Sequence, residues 1–195
     1  MQLRGDGLEL EDVERVARAP FAKVKLSDDA RPRVQAARDF VDRAVTEGRV
    51  VYGLTTGFGA LSEITISPDR IRELQLNLIR SHAAGVGDPL AEEAVRAITL
   101  LRANVLALGH SGVRPLVIEA LTELLNRGVH PVIPSRGSVG ASGDLAPLSH
   151  LALVLLGEGE AIVAGERMTG AAALERVGMG PIVLEAKEGL ALNNG

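Results

Sequence analysis

This sequence predicts a mainly α-helical fold, on three observations. Of its 195 residues 46% are hydrophobic but only 2% aromatic, and a core of Leu, Ala and Val packs helix on helix more readily than it builds a sandwich. Apolar positions recur at three-to-four spacing along most of the chain. Glycine and proline punctuate those segments where helices start and stop. The length suits one or two domains with a sizeable core, and no repeat, low-complexity tract or linker divides it.

The elements follow in order. Glu11 to Ala19 reads as a short helix stopped by Pro20. Ser27 suits the N-cap of the next helix, with Asp28 and Asp29 in a first turn whose dipole favours anions. Val34, Ala37, Val41, Ala44 and Val45 share one face, and Gly48 closes that helix. Val50 to Leu54 is short, rich in β-branched residues and followed by a glycine-rich loop. Ser67-Pro68 is an N-cap and N1 pair, and Ile71, Leu74 and Leu78 carry the helix towards Gly85. Ala91 to Leu108 is apolar on most sides, which predicts a buried helix ended by Gly109. Pro115 to Arg127 is the next, ended by Gly128. From Val129 to Ala146 the helical period vanishes, and a loop of that length in a compact domain is often functional. Leu148 to Leu156 resumes as a buried helix. GEGEAIVAGERMTG predicts a small β-hairpin turning at Ala164-Gly165, and Ala171 to Arg176 a short helix before KEGLALNNG.

Composition excludes several functions. A formal charge of −4 with no basic cluster argues against a nucleic-acid face. Without cysteine there are no disulfides, thiolate metal sites or cysteine nucleophiles. The four histidines are scattered and none pairs with a second ligand at metal spacing, so no metal is expected. MQLRGDGLELED lacks the apolar stretch of a signal peptide, and LAPLSHLALVLLG is too short for a bilayer. A cytoplasmic protein without a membrane or nucleic-acid partner is the expectation.

The informative stretch is GSVGASGDLAPLSH, Gly137 to His150, with glycine at 137, 140 and 143. A phosphate loop needs Lys where Asp144 stands. The dinucleotide fingerprint needs another glycine spacing, and GASG closes one place too early for a nucleophile elbow. A tight structural turn would account for an isolated ASG. One reading uses every residue. The amide nitrogen of Gly143 attacks the carbonyl carbon of Ala141, a five-membered ring closes as that carbonyl oxygen leaves as water, and the Ser142 hydroxyl leaves as a second water. The ring then carries an exocyclic methylene, an electrophile that no ordinary side chain supplies. Gly143 has no Cβ in the way, and a strained, preorganised loop explains the three glycines.

GSVGASGDLAPLSH resembles the signature of the aromatic amino acid ammonia-lyases and aminomutases, in which an Ala-Ser-Gly triplet cyclises by itself to 4-methylidene-imidazole-5-one (MIO). Three further blocks are similar, in the family's order: YGLTTGFGAL (Tyr52 to Leu61), LQLNLIRSHAAGVG and KEGLALNNG. The resemblance implies the N-terminal helical domain of the aspartase/fumarase-like ammonia-lyase architecture, with a glycine-rich MIO loop and a small β-hairpin. MIO would form from Ala141, Ser142 and Gly143. Tyr52, the only tyrosine, would be the catalytic base or a proton-transfer partner at the substrate β-carbon. Outside the family it reads as an aromatic anchor of a turn, and a phenol does this work only where its site favours the phenolate. His82, by itself a complement to a helix C-terminus, would face the substrate side chain; the Ser-His pair resembles the histidine-specific branch. Asn194, otherwise a helix-ending residue, would hold the MIO carbonyl or the substrate and stabilise developing charge. Asp144 reads as the N-cap of the following helix, and His110, His130 and His150 as structural.

Two residues depart from the pattern. Thr55 stands where histidine-specific members often carry Asn, which leans towards the phenylalanine and tyrosine branch. Asn193 stands where an aliphatic residue is usual. Family chains are also much longer, so residues 1–195 read as the N-terminal MIO-bearing domain, with the C-terminal helical bundle absent. The expected activity is elimination of ammonia from L-histidine to give urocanate. The alternatives are a phenylalanine or tyrosine ammonia-lyase or aminomutase, and a non-catalytic helical assembly domain. Self-association is implied, as a homotetramer in the full-length family. Alone, the chain is expected to fold but to leave the triplet open and release no ammonia, because strain in a loop persists only when its surroundings enforce it.

Overall fold

The computed structural model describes residues 1–19, 23–57, 66–67, 70–140 and 143–194. In chain order they form β1 (Gln2–Leu3), α1 (Leu10–Arg18), β2 (Lys25–Leu26), α2 (Arg31–Thr46), α3 (Ile71–His82), β3 (Val86–Pro89), α4 (Glu92–Ala107), α5 (Pro115–Asn126), β4 (Val129–Pro131), β5 (Pro134–Arg136), α6 (Leu145–Leu155), β6 (Glu160–Val163), β7 (Glu166–Thr169), α7 (Gly170–Arg176) and α8 (Glu188–Asn193).

Helix α4 is the hub. It packs on α1 and α5, and Leu100, Ala103, Leu106 and Ala107 are buried within it, as its nearly all-round apolar pattern requires. A second group, α3, α6 and α8, packs mutually. A smaller core of Val41, Ala44, Leu54, Ile71 and Ala186 joins α2, the Tyr52 loop, the start of α3 and the approach to α8.

Buried guanidinium groups close several helix ends. Arg96 donates to the carbonyls of Val16 (3.0 Å) and Ala19 (3.0 Å) at the end of α1 and of Leu125 (3.2 Å) in α5. Arg102 donates to Ala191 (3.2 Å) and Asn194 (3.0 Å) at the end of α8. Last-turn carbonyls lack intrahelical partners, and a planar donor fork reaches two or three at once.

Three local expectations need correction. Ser27 does not cap α2: its hydroxyl accepts from Ala30 N–H (3.1 Å) in a turn, and the helix starts at Arg31, where Pro32 presets the first turn. In the β-branched stretch from Val50 to Leu54, where a strand could have formed, Val50 and Val51 lead instead into a turn over Tyr52 to Thr55. The Thr55 hydroxyl captures that backbone, accepting from Val51 N–H (2.9 Å) and donating to the Arg49 carbonyl (2.5 Å). The stretch from Val129 to Ala146 is not one loop, because two short segments of it, β4 and β5, find strand partners distant in sequence. Strand β4 pairs with β6 to extend the predicted β6–β7 hairpin, and β5 pairs with β3. The Ser67-Pro68 cap and the block from Tyr52 to Leu61 fall partly outside the described residues. Helix α3 itself begins at Ile71 after Arg70.

Candidate active site

Of the predicted triplet, Ala141 and Ser142 lie outside the described residues, and Gly143 lies within them. The loop around them accounts for all three glycines. Gly140 and Gly143 have φ of 65° and 75°, left-handed values that suit glycine. Gly137 is a contact point: a Cβ there would sit 3.0 Å from the Cα of Gly85 and 3.2 Å from the Cβ of Ala146. Asp144 occupies the N-cap position of α6, but its carboxylate makes no cap bond. It accepts instead from the Ser138 hydroxyl and so ties the two sides of the loop together.

The pairing of β3 with β5, Val86 opposite Arg136 and Pro89 opposite Pro134, brings the end of LQLNLIRSHAAGVG onto the strand that leads into GSVGASGDLAPLSH. The loop that follows His82 therefore lies against the residues that lead into the triplet. His82 ends α3 with Nδ1 2.9 Å from the Leu78 carbonyl. A carbonyl only accepts, so Nδ1 carries the proton and Nε2 is the ring nitrogen turned away from the helix.

Asn194 follows α8, and Arg102 of α4 holds its carbonyl. Arg102 also lines a cavity of about 170 Å³ with Ile98, Leu101, Val105, Asp144 and Leu148, so the Asn194 end of α8 and the Gly143 end of α6 meet beside one buried guanidinium. Burial holds that group below the usual arginine pKa. Tyr52 is 60% exposed, on a loop anchored through Val51 and Leu54 to the smaller core that also takes Ala186. The structure thus joins the His82 loop to the triplet loop directly and α8 to both through its packing, while Tyr52 is tied to the same frame through Ala186.

Sequence reasoning missed what seats α8. Gln75, fully buried on α3, accepts through Oε1 from Gly189 N–H (2.9 Å) and Leu190 N–H (3.4 Å), which caps α8 from the helix carrying His82. Glu188, also fully buried, accepts from the Arg114 backbone N–H (3.0 Å), Arg114 Nε (2.9 Å) and Nη2 (2.7 Å), and Glu185 N–H (2.8 Å). That hydrogen bonding raises the Arg114 pKa above its ordinary value. A polar residue on the apolar Ile71–Leu78–Ile79 face was the available signal for Gln75. Lys187 enters α8 with a left-handed φ of 76°, and burial lowers its pKa.

The two departures also find places. Thr55, 5% exposed, spends its hydroxyl on its own loop and shapes the turn. Asn193, fully buried, donates through Nδ2 to Ser149 Oγ (3.3 Å) on α6. Among the described residues no group of three or more His, Asp or Glu side chains could hold a metal ion. Among them, too, no helix is long and apolar enough to cross a membrane.

Comparison with known proteins supplies the family. The family model for aromatic amino acid lyases matches residues 8–195. The histidine ammonia-lyase of Alkaliphilus oremlandii is 56% identical over 195 residues, all of this chain and 38% of that protein. The histidine ammonia-lyase of Stigmatella aurantiaca is 57% identical over the same span, again 38% of its length. The crystal structure of tyrosine aminomutase from Streptomyces globisporus superposes with a TM-score of 0.92 at 41% identity, covering all of this chain and 36% of that one. The chain therefore spans little more than a third of the length of the relatives it matches.

Proposed function

This chain belongs to the aromatic amino acid lyase family, and from that premise we propose that it is the electrophile-bearing part of a histidine ammonia-lyase. The observation that supports the substrate is the identity of 56–57% to histidine ammonia-lyases over the whole of this chain.

In the reaction the Cα–N bond of L-histidine breaks, a proton leaves Cβ, and urocanate and ammonia result. The loop fits the ring the family implies: Gly143 already has positive φ, and Gly137 lets the chain fold closely over Gly85. Once formed from Ala141, Ser142 and Gly143, MIO would supply the electrophilic methylene that makes the substrate amine a better leaving group. His82 accepts the substrate ring N–H through its Nε2 lone pair. Asn194 holds charge developing at a carbonyl oxygen, and Tyr52 removes the β-proton.

The test is acrylate formation by the protein that carries this chain, followed by absorbance with L-histidine, L-phenylalanine and L-tyrosine in turn. Urocanate from histidine is the expected product. Acrylate from the other two with none from histidine would overturn the substrate.

For the 195-residue chain alone we propose an open triplet. Val139 is 83% exposed, and among the described residues nothing lies within 4 Å of a Cβ built at Gly140, so that side of the loop is not compressed. Intact mass equal to the unmodified sequence is expected; a mass lower by two water molecules would overturn this. Self-association belongs to the same proposal, supported by Leu101 and Val105, 46% and 45% exposed on α4 beside the cavity.

A further inference from the structure

Between the two loops of the site lies a residue that neither block's chemistry uses. His150, one turn into α6, is half-buried, and its Nε2 accepts the backbone N–H of Gly85 at 3.0 Å. An accepting Nε2 requires a neutral ring with its proton on Nδ1. Burial favours that neutral form.

The surroundings are tight. A Cβ at Gly85 would sit 3.0 Å from His150 Nε2 and 3.2 Å from the Cβ of Pro134, and one at Gly137 would sit 3.0 Å from the Cα of Gly85. Two glycines thus let the loop after His82 touch the strand into the triplet loop, and His150 adds a side-chain hydrogen bond to the backbone pairing across the contact. The ladder between β3 and β5 is irregular between Val86 and Pro89, so strand pairing alone fixes their relative position loosely.

We infer that His150 is a positioning residue: its neutral imidazole pins Gly85 and so sets the placement of His82 relative to Gly143. The bond stands independently of the lyase reading, on which rests only the significance of what the two loops carry.

The test uses the 195-residue chain and two polar variants that differ by one methylene. In His150→Gln the amide oxygen reaches the position of Nε2; in His150→Asn it reaches only that of Nδ1. Amide exchange at Gly85 is read by nuclear magnetic resonance, with the His82 ring and Gly143 amide signals as reporters of placement. In the wild type, ring nitrogen shifts should report an unprotonated Nε2 on His150. His150→Gln should keep Gly85 protection, while His150→Asn should lose about fivefold to tenfold, the worth of one hydrogen bond, and shift both reporters. Equal protection in the two variants, equal loss in both, or loss in His150→Asn with His82 and Gly143 unmoved would each overturn the inference. Absence of lyase activity would leave these readings unchanged, so the two failures are separable.

Discussion

Replacing Glu188 with glutamine should cost this chain far more than its isosteric shape suggests. Each carboxylate oxygen faces two donors: Oε1 the Arg114 N–H and Nε, Oε2 the Arg114 Nη2 and the Glu185 N–H. Whichever way the new amide turns, its NH₂ group confronts two N–H groups, so at least two hydrogen bonds are lost in a site with no exposed surface at residue 188. A buried donor left unmatched costs about 1–3 kcal/mol, and breaking a buried ion pair about 3–5. The Arg114 side chain is 30% exposed and can regain water, which places the whole loss near the low end, about 3 kcal/mol. Urea unfolding of Glu188→Gln against wild type measures it. Glu160→Gln serves as the comparison, since its pairing with Arg167 is half exposed on both sides and should cost under about 1 kcal/mol. If Glu188→Gln proves no more damaging than Glu160→Gln, the carboxylate does not seat α8.

Two further outcomes follow. A Cβ at Gly189 would lie 2.7 Å from the Gln75 carbonyl oxygen, which is backbone and cannot swing aside, so Gly189→Ala should push α8 off α3 at a cost of about 1–3 kcal/mol; an unchanged urea midpoint would show that the helices separate freely. Burial lowers the pKa of both His130 and His150 below the 6.5 of an unperturbed histidine, so the folded state binds fewer protons than the unfolded. Their stabilising effect is intact above pH 6.5, declines as pH falls through that value and levels off below the folded pKa values, each contributing a slope of at most about 1.4 kcal/mol per pH unit. Urea midpoints from pH 8 to 5.5 that stay flat or rise on acidification would refute this.

The helices were legible because their causes are local. An apolar stripe with a glycine stop located α4 and α5, and Ala164-Gly165 located the hairpin turn. The β3–β5 ladder was not legible, since it joins segments nearly fifty residues apart through strands too short to show a pattern. In the site, GSVGASGDLAPLSH identified the chemistry, and its glycine spacing could be read as a demand on the backbone. What could not be read was the support. Gln75, Glu188 and His150 act on backbone groups distant in sequence, and an amide or carboxylate aimed at a remote N–H leaves no periodic trace. Asp144 erred for a related reason: an aspartate before a helix reads as a cap, and only the folded loop brings Ser138 near enough to compete.

The seat of α8 has a consequence for the order in which the chain assembles. Arg38, Gln75, Arg102 and Arg114, the groups that receive this helix or its approach, all precede it in the sequence. During synthesis they emerge before the carbonyls, amides and carboxylate they bind. Until residues 186–194 arrive, these groups lack the partners that α8 and its approach supply, in what will become the interior. Helix α8 then works as a keystone: it matches several waiting donors and acceptors in one docking step.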